Sequence, residues 1–139
     1  MARDAPSLSV PATRADVKRV RRWLDDLLES SNVCQQERSD LALAVTEVCT
    51  NIVRHGYRGR PGSLRLVLIR SGGEIRVVIE DQAPTFSPPS SSKLPPPGAL
   101  AEGGYGLALV KALVDEVSYE PLEKRGNRIT LIKRMGGHP

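Results

Sequence analysis

Cysteine is scarce in this chain: Cys34 and Cys49 are the two in 139 residues. They do not form a C-x-x-C pair and have no Cys or His partners at zinc spacing, which argues against a disulfide scaffold or a zinc site. Cys49 reads as a small core residue and Cys34 as a loop or helix-start residue. Aromatics are nearly as rare, with Trp23, Tyr57, Phe86, Tyr105 and Tyr119 making up the set. The core must therefore be built from Leu, Val, Ile and Ala, and there is little with which to stack bases. No apolar run approaches the ~20 residues that span a bilayer, and the opening MARDAPSLSV lacks a signal-peptide core, so a cytoplasmic protein with no membrane partner is expected. With His55 and His138 as the two histidines, a nucleophilic triad is poorly supported. A strong excess of one charge is also missing: 20 Lys plus Arg oppose 16 Asp plus Glu, a net +4. The one dense basic cluster, Arg14, Lys18, Arg19, Arg21 and Arg22, reads as the solvated face of a helix, so direct nucleic-acid binding is not expected.

The length suits a single domain, residues 1–139. Leu8 and Val10 alternate before Pro11, predicting a short strand. Thr13 or Asp16 then caps a helix whose inward positions are Val17, Val20, Leu24, Leu27 and Leu28. A second helix is predicted from about Ser31 or Asn32 through Leu41, Val45, Val48 and Ile52 to Gly56, read as its terminator. LRLVLIR (64–70) and EIRVVIED (74–81) around Ser71-Gly72-Gly73 predict a β-hairpin that Asp81 ends. Residues 84–98, PTFSPPSSSKLPPPG, hold six of the eleven prolines, so neither a helix nor a central strand can run through them. A loop of that length is usually a lid, a binding loop or a linker. A third helix is predicted over 107–117, with Leu107, Val110, Leu113, Val114 and Val117 inward, and VSYEPL with NRITLIKR predicts a closing hairpin.

Three polar features remain once the core positions are set aside. Glu47 and Asn51 share one face of the second helix, one turn apart, and supply hard oxygen atoms of the kind magnesium takes alongside waters and phosphates. Asp81 stands where a strand stops and could accept the amino hydrogen of a base. Gly104 and Gly106 let the backbone approach a ligand closely, ahead of a helix whose first N–H groups suit phosphate. His55 lies two turns from Glu47, ~12 Å along a helix axis, and reads as a helix-end cap or a supporting group. The chain has no Gly-Lys-Ser/Thr phosphate loop, and its glycine cluster follows a loop where a dinucleotide fingerprint would follow a strand.

In order, Glu47-x-x-x-Asn51, Asp81-Gln82-Ala83-Pro84-Thr85-Phe86, Glu102-Gly103-Gly104-Tyr105-Gly106-Leu107 and Asn127-Arg128-Ile129-Thr130-Leu131 resemble the GHKL ATPase superfamily. Within it the sequence resembles the anti-sigma-factor serine/threonine kinases, from Val17 to Lys133. The resemblance implies a two-layer α/β sandwich with helices on one face of a mixed sheet, and ATP and Mg²⁺ as cofactors. It implies Asn51 as the magnesium ligand, Glu47 as the catalytic base and Asp81 as the adenine-recognising carboxylate. Thr130 would help hold the adenine end, Gly104 and Gly106 with the adjoining Leu107 would form the phosphate-facing box, and residues 84–103 would form the ATP lid. The implied partners are a sigma factor and an anti-sigma-factor antagonist that the protein phosphorylates, with a homodimer as a common assembly. The alternative is a nucleotide-binding interaction module without kinase activity. One departure stands out: the family usually has glycine where this chain has Ala83, and a methyl group there would crowd the base or stiffen the strand exit.

Overall fold

The computed structural model describes residues 5–30, 33–83 and 105–135, with side chains from residue 108 onward in the last of these. The elements run β1 (Ser7–Pro11), α1 (Arg14–Glu29), α2 (Gln35–Asn51), a π-helical extension (Ile52–Tyr57), β2 (Ser63–Ser71), β3 (Glu74–Asp81), α3 (Tyr105–Leu113), β4 (Glu116–Pro121) and β5 (Asn127–Arg134). The five strands form one sheet in the order β1-β2-β3-β5-β4. All four pairings are antiparallel, so among the described residues the sheet is not mixed as the family resemblance implied. The reason is connectivity. β2 to β3 and β4 to β5 are hairpins, and α3 with β4 returns the chain to β3 as an antiparallel neighbour.

Alternation along the strands sorts the two faces. Leu64, Leu66 and Leu68 of β2, Ile75, Val77 and Ile79 of β3, and Ile129 and Leu131 of β5 are buried on the helix side. The other face carries an ion ladder, Arg65 to Glu80 at 3.7 Å, Glu80 to Arg128 at 2.8 Å and Arg128 to Glu120 at 3.2 Å. Exposed pairs of this kind add little stability. Helix α1 buries Val17, Val20, Leu24 and Leu28. Helix α2 buries a wider arc, including Leu41, Ala44, Val45, Val48 and Cys49, because α1, α3 and the sheet all pack on it. Among the described residues no helix is long and apolar enough to cross a membrane.

Of the two proposed caps for α1, Thr13 is the one: its extended backbone (φ −129°, ψ 158°) precedes the helix, and its Oγ1 accepts from the Asp16 N–H at 3.0 Å. Thr13→Ala should therefore cost about 1 kcal/mol, the usual worth of an N-cap, measured as a shift in urea midpoint with unchanged m-value.

Three boundaries differ from expectation. Helix α2 begins at Gln35 behind Cys34, and it does not end at Gly56. It widens into the π-helical segment and stops where Arg58 turns left-handed (φ 54°). Helix α3 ends at Leu113, and Val117 belongs to β4, paired with Leu131. Lys133 helps to set that end: its Nζ donates to the Leu113 carbonyl at 2.7 Å and pairs with Asp40 of α2 at 3.3 Å.

Candidate functional site

Asp81 is the last residue of β3 and has the parity of Ile79 and Val77, so its carboxylate turns toward the helices, where it is 3% exposed. Its Oδ1 accepts two hydrogen bonds, from the Ala83 N–H at 2.8 Å and from Asn127 Nδ2 at 2.9 Å. The first is the turn that an Asp makes with its own chain two residues on. The second crosses to β5, where Asn127 is the register partner of Asp81. Among the described residues Oδ2 has no partner. Burial pushes the Asp81 carboxyl above its ordinary value, while the Asn127 amide and the Ala83 N–H pull it back.

The chain leaving Asp81 is held from three sides. Gln82 N–H donates to the Tyr57 hydroxyl at 2.7 Å, and the Gln82 carbonyl accepts from Arg125 Nε at 2.8 Å. Gly126, at φ +108°, presses against the Asp81 carbonyl, where a Cβ would come within 2.2 Å of that oxygen. Tyr57 also bonds Ser63, donating to its carbonyl at 2.8 Å and accepting from its N–H at 3.3 Å. It thus ties the end of the α2 extension to both β2 and the exit from β3. Tyr57→Phe leaves the Gln82 and Ser63 groups without that hydroxyl, and should cost about 1–3 kcal/mol of unfolding free energy, the penalty of unmade buried hydrogen bonds.

The π-helical extension gives Gly56 a role other than termination. A Cβ on it would stand 3.3 Å from the Ala83 Cβ. Ala83 is fully buried, with its methyl group directed at that glycine. The methyl that replaces the family's glycine is thus accommodated by packing beneath the helix extension.

Asn51 ends α2 at 4% exposure, with Glu47 half-buried one turn earlier. Neither side chain has a hydrogen-bond or ion-pair partner among the described residues. A carboxamide and a carboxylate one turn apart on a helix, neither engaged by the described residues, suit a hard cation that takes one or two protein oxygens and completes its shell with phosphates and water. Cys49, between them on the helix, is fully buried. Burial, and then the nearby Asp81 carboxylate, push its thiol up to about 12, so it stays neutral. His55 lies in the π-helical segment, whose wider turn carries it off the Glu47–Asn51 line.

The remaining expected residues divide. Residues 84–104, which include the expected lid and Gly104, lie outside the described residues. Gly106 and Leu107 are the second and third residues of α3, in the first turn where free N–H groups are found. Thr130 does not lie beside Asp81, where the family resemblance would put it. It pairs with Val78 and Ser118, between the buried Ile129 and Leu131, and so projects from the sheet face opposite Asp81. Asn127 takes the position beside Asp81 that Thr130 was expected to fill. Strand parity alone contains that signal, since Asn127 shares the alternation of Ile129 and Leu131.

The model of the histidine kinase-like ATPase domain matches residues 10–133. The chain belongs to this family. Its ATPase-domain relatives include the serine-protein kinase RsbW of Staphylococcus epidermidis, 30% identical over 139 residues, covering 94% of this chain and 86% of that protein. The serine-protein kinase RsbW of Bacillus pumilus (strain SAFR-032) is 29% identical over 127 residues, covering 84% of this chain and 78% of the relative. Among solved structures, the RsbU and RsbW domains of Rv1364c from Mycobacterium tuberculosis superpose with a TM-score of 0.66 at 23% identity. That likeness covers 94% of this chain but 32% of the solved one, and it extends the fold alone.

Proposed function

We propose that this ATPase-domain protein is an ATP-dependent serine/threonine kinase that acts as an anti-sigma factor in the cytoplasm. In this reading it phosphorylates an anti-sigma-factor antagonist and holds a sigma factor while that antagonist is phosphorylated. The observation that carries the reading is the Asp81 carboxylate. One oxygen is fixed by Asn127 and Ala83 and the other is left open at a buried strand end, near enough to Cys49 of α2, the helix that carries Glu47 and Asn51, for its charge to act on that thiol. The open oxygen accepts the purine amino group. Asn51 would hold magnesium with the triphosphate, and the N–H groups in the first turn of α3, at Gly106 and Leu107, which follow Gly104 in the sequence, would receive phosphate oxygens. Bound magnesium supplies charge neutralisation for the β- and γ-phosphates.

Glu47 then takes the proton of a seryl hydroxyl as its oxygen bonds to the γ-phosphorus. The bond from that phosphorus to the bridging oxygen breaks, and ADP leaves with the electron pair. Little more is required of the protein, because positioning and electrostatics do most of the work in phosphoryl transfer. The test is transfer of labelled γ-phosphate from Mg-ATP to each small antagonist-type protein of the source organism, followed by mapping of the modified residue. Phosphoserine or phosphothreonine on one of them is expected. Nucleotide binding with no transfer to any antagonist that forms a complex would instead establish a binding module without kinase activity.

A further inference from the structure

Asp81 has two chemically equivalent oxygens until its surroundings distinguish them. Asn127 is the group that does so from across the sheet. It is 5% exposed, sits in register with Asp81 on β5, and spends both ends of its amide inside the protein. Nδ2 donates to Asp81 Oδ1 at 2.9 Å, and Oδ1 accepts from the Tyr119 hydroxyl at 2.5 Å. The direction of this chain is forced by chemistry. An ionised carboxylate accepts and never donates, so the amide must turn its NH₂ to Asp81 and its carbonyl to Tyr119, which donates in turn. Rotation of the amide would place two acceptors face to face.

We infer that Asn127, locked by Tyr119, is a positioning residue that selects the Asp81 oxygen offered to a purine amino group and thereby sets the preference of the site for adenine. The inference rests on the proposed reading of Asp81 as the base-recognising group. Asn127 saturates Oδ1 together with the Ala83 N–H, leaving Oδ2 as the acceptor and restraining the carboxylate plane. It also favours the ionised form of Asp81 against the effect of burial, which keeps that oxygen an acceptor. Tyr119 touches neither the base nor Asp81 in this scheme, and acts by fixing the amide. A purely structural hydrogen bond would affect folding, or the binding of all nucleotides alike. A positioning bond acts on discrimination at the purine C6 amino group.

The experiment titrates the full chain with Mg-ATP and with the magnesium complex of purine riboside triphosphate, which lacks that amino group. The wild type should prefer ATP by about 10- to 100-fold, the ratio a hydrogen bond to a charged group supplies. Asn127→Leu, which keeps the bulk and removes the amide, should bring the preference to within about threefold by weakening ATP alone. Tyr119→Phe should lower it in the same direction while unfolding near the wild-type temperature. If Asn127→Leu does not fold, Tyr119→Phe decides the matter. A wild type without preference would remove the Asp81 reading and this inference with it. A wild type with the preference, and folded variants that retain it in full, would overturn the inference and leave the Asp81 reading standing.

Discussion

Glu47→Gln should transfer γ-phosphate to the protein substrate about 10² to 10⁴ times more slowly than wild type, the contribution of a positioned general base. Its ATP affinity should stay within about a few-fold, because a base meets the hydroxyl and not the nucleotide. The substitution keeps shape and hydrogen-bonding capacity while removing the charge. Glu47 lacks a partner among the described residues, so there is no ion pair to break and no structural cause for a large effect. Asn51→Ala gives the contrast. On the proposed reading it removes the carboxamide that would hold magnesium, and should weaken triphosphate binding and transfer together. Parallel nucleotide titration and single-turnover transfer for each variant separate the two roles. Transfer by Glu47→Gln at the wild-type rate would remove Glu47 from the chemistry.

Asp81→Asn should lower ATP affinity by about 10- to 100-fold while raising the stability of the nucleotide-free protein. The affinity loss follows from replacing the open acceptor oxygen by an NH₂ that faces the purine amino group. The stability gain follows from the sign of the Asp81 shift. Its folded pKa lies above the ordinary 3.8, so on raising pH the unfolded chain ionises this residue first. Stability that is full below the unfolded value is then lost as pH rises through the folded one. At neutral pH the buried carboxylate is therefore a cost that the asparagine avoids. Thermal unfolding with and without Mg-ATP checks both halves. A ligand at a hundredfold excess over Kd adds ~2.7 kcal/mol to the wild type, and about half or more of that shift should vanish in the variant while its nucleotide-free Tm rises. A lower nucleotide-free Tm with an intact nucleotide shift would contradict both.

Apolar spacing made most of the fold legible in the sequence. The alternation of Leu64, Leu66 and Leu68 and of Ile75, Val77 and Ile79 marked the central hairpin, and Val17, Val20, Leu24 and Leu28 marked α1. Helix ends were less legible, because they depend on tertiary contacts. The α2 extension widens where Gly56 meets Ala83 and Tyr57 reaches Gln82, contacts 25 or more residues apart in sequence. The end of α3 involves Lys133, 20 residues on. At the candidate site, the reading of Glu47, Asn51 and Asp81 rests on residue chemistry together with family order. Thr130 is the residue that the family resemblance implies there, whereas strand parity puts Asn127 on the Asp81 face. Tyr57 and Tyr119 were hidden for another reason: an aromatic in a chain this poor in them reads first as core.

The claim that the end of α2 and the exit of β3 together hold Mg-ATP is tested most directly by an isotope-resolved NMR titration of the full chain with Mg-ATP. Saturable shifts should concentrate on the Gln82 and Ala83 backbone amides and on the side-chain amides of Asn51 and Asn127, with weaker changes along the exposed face of α1. Saturable shifts confined to the basic face around Arg14 to Arg22, with Ala83 and Asn51 unmoved, would contradict it.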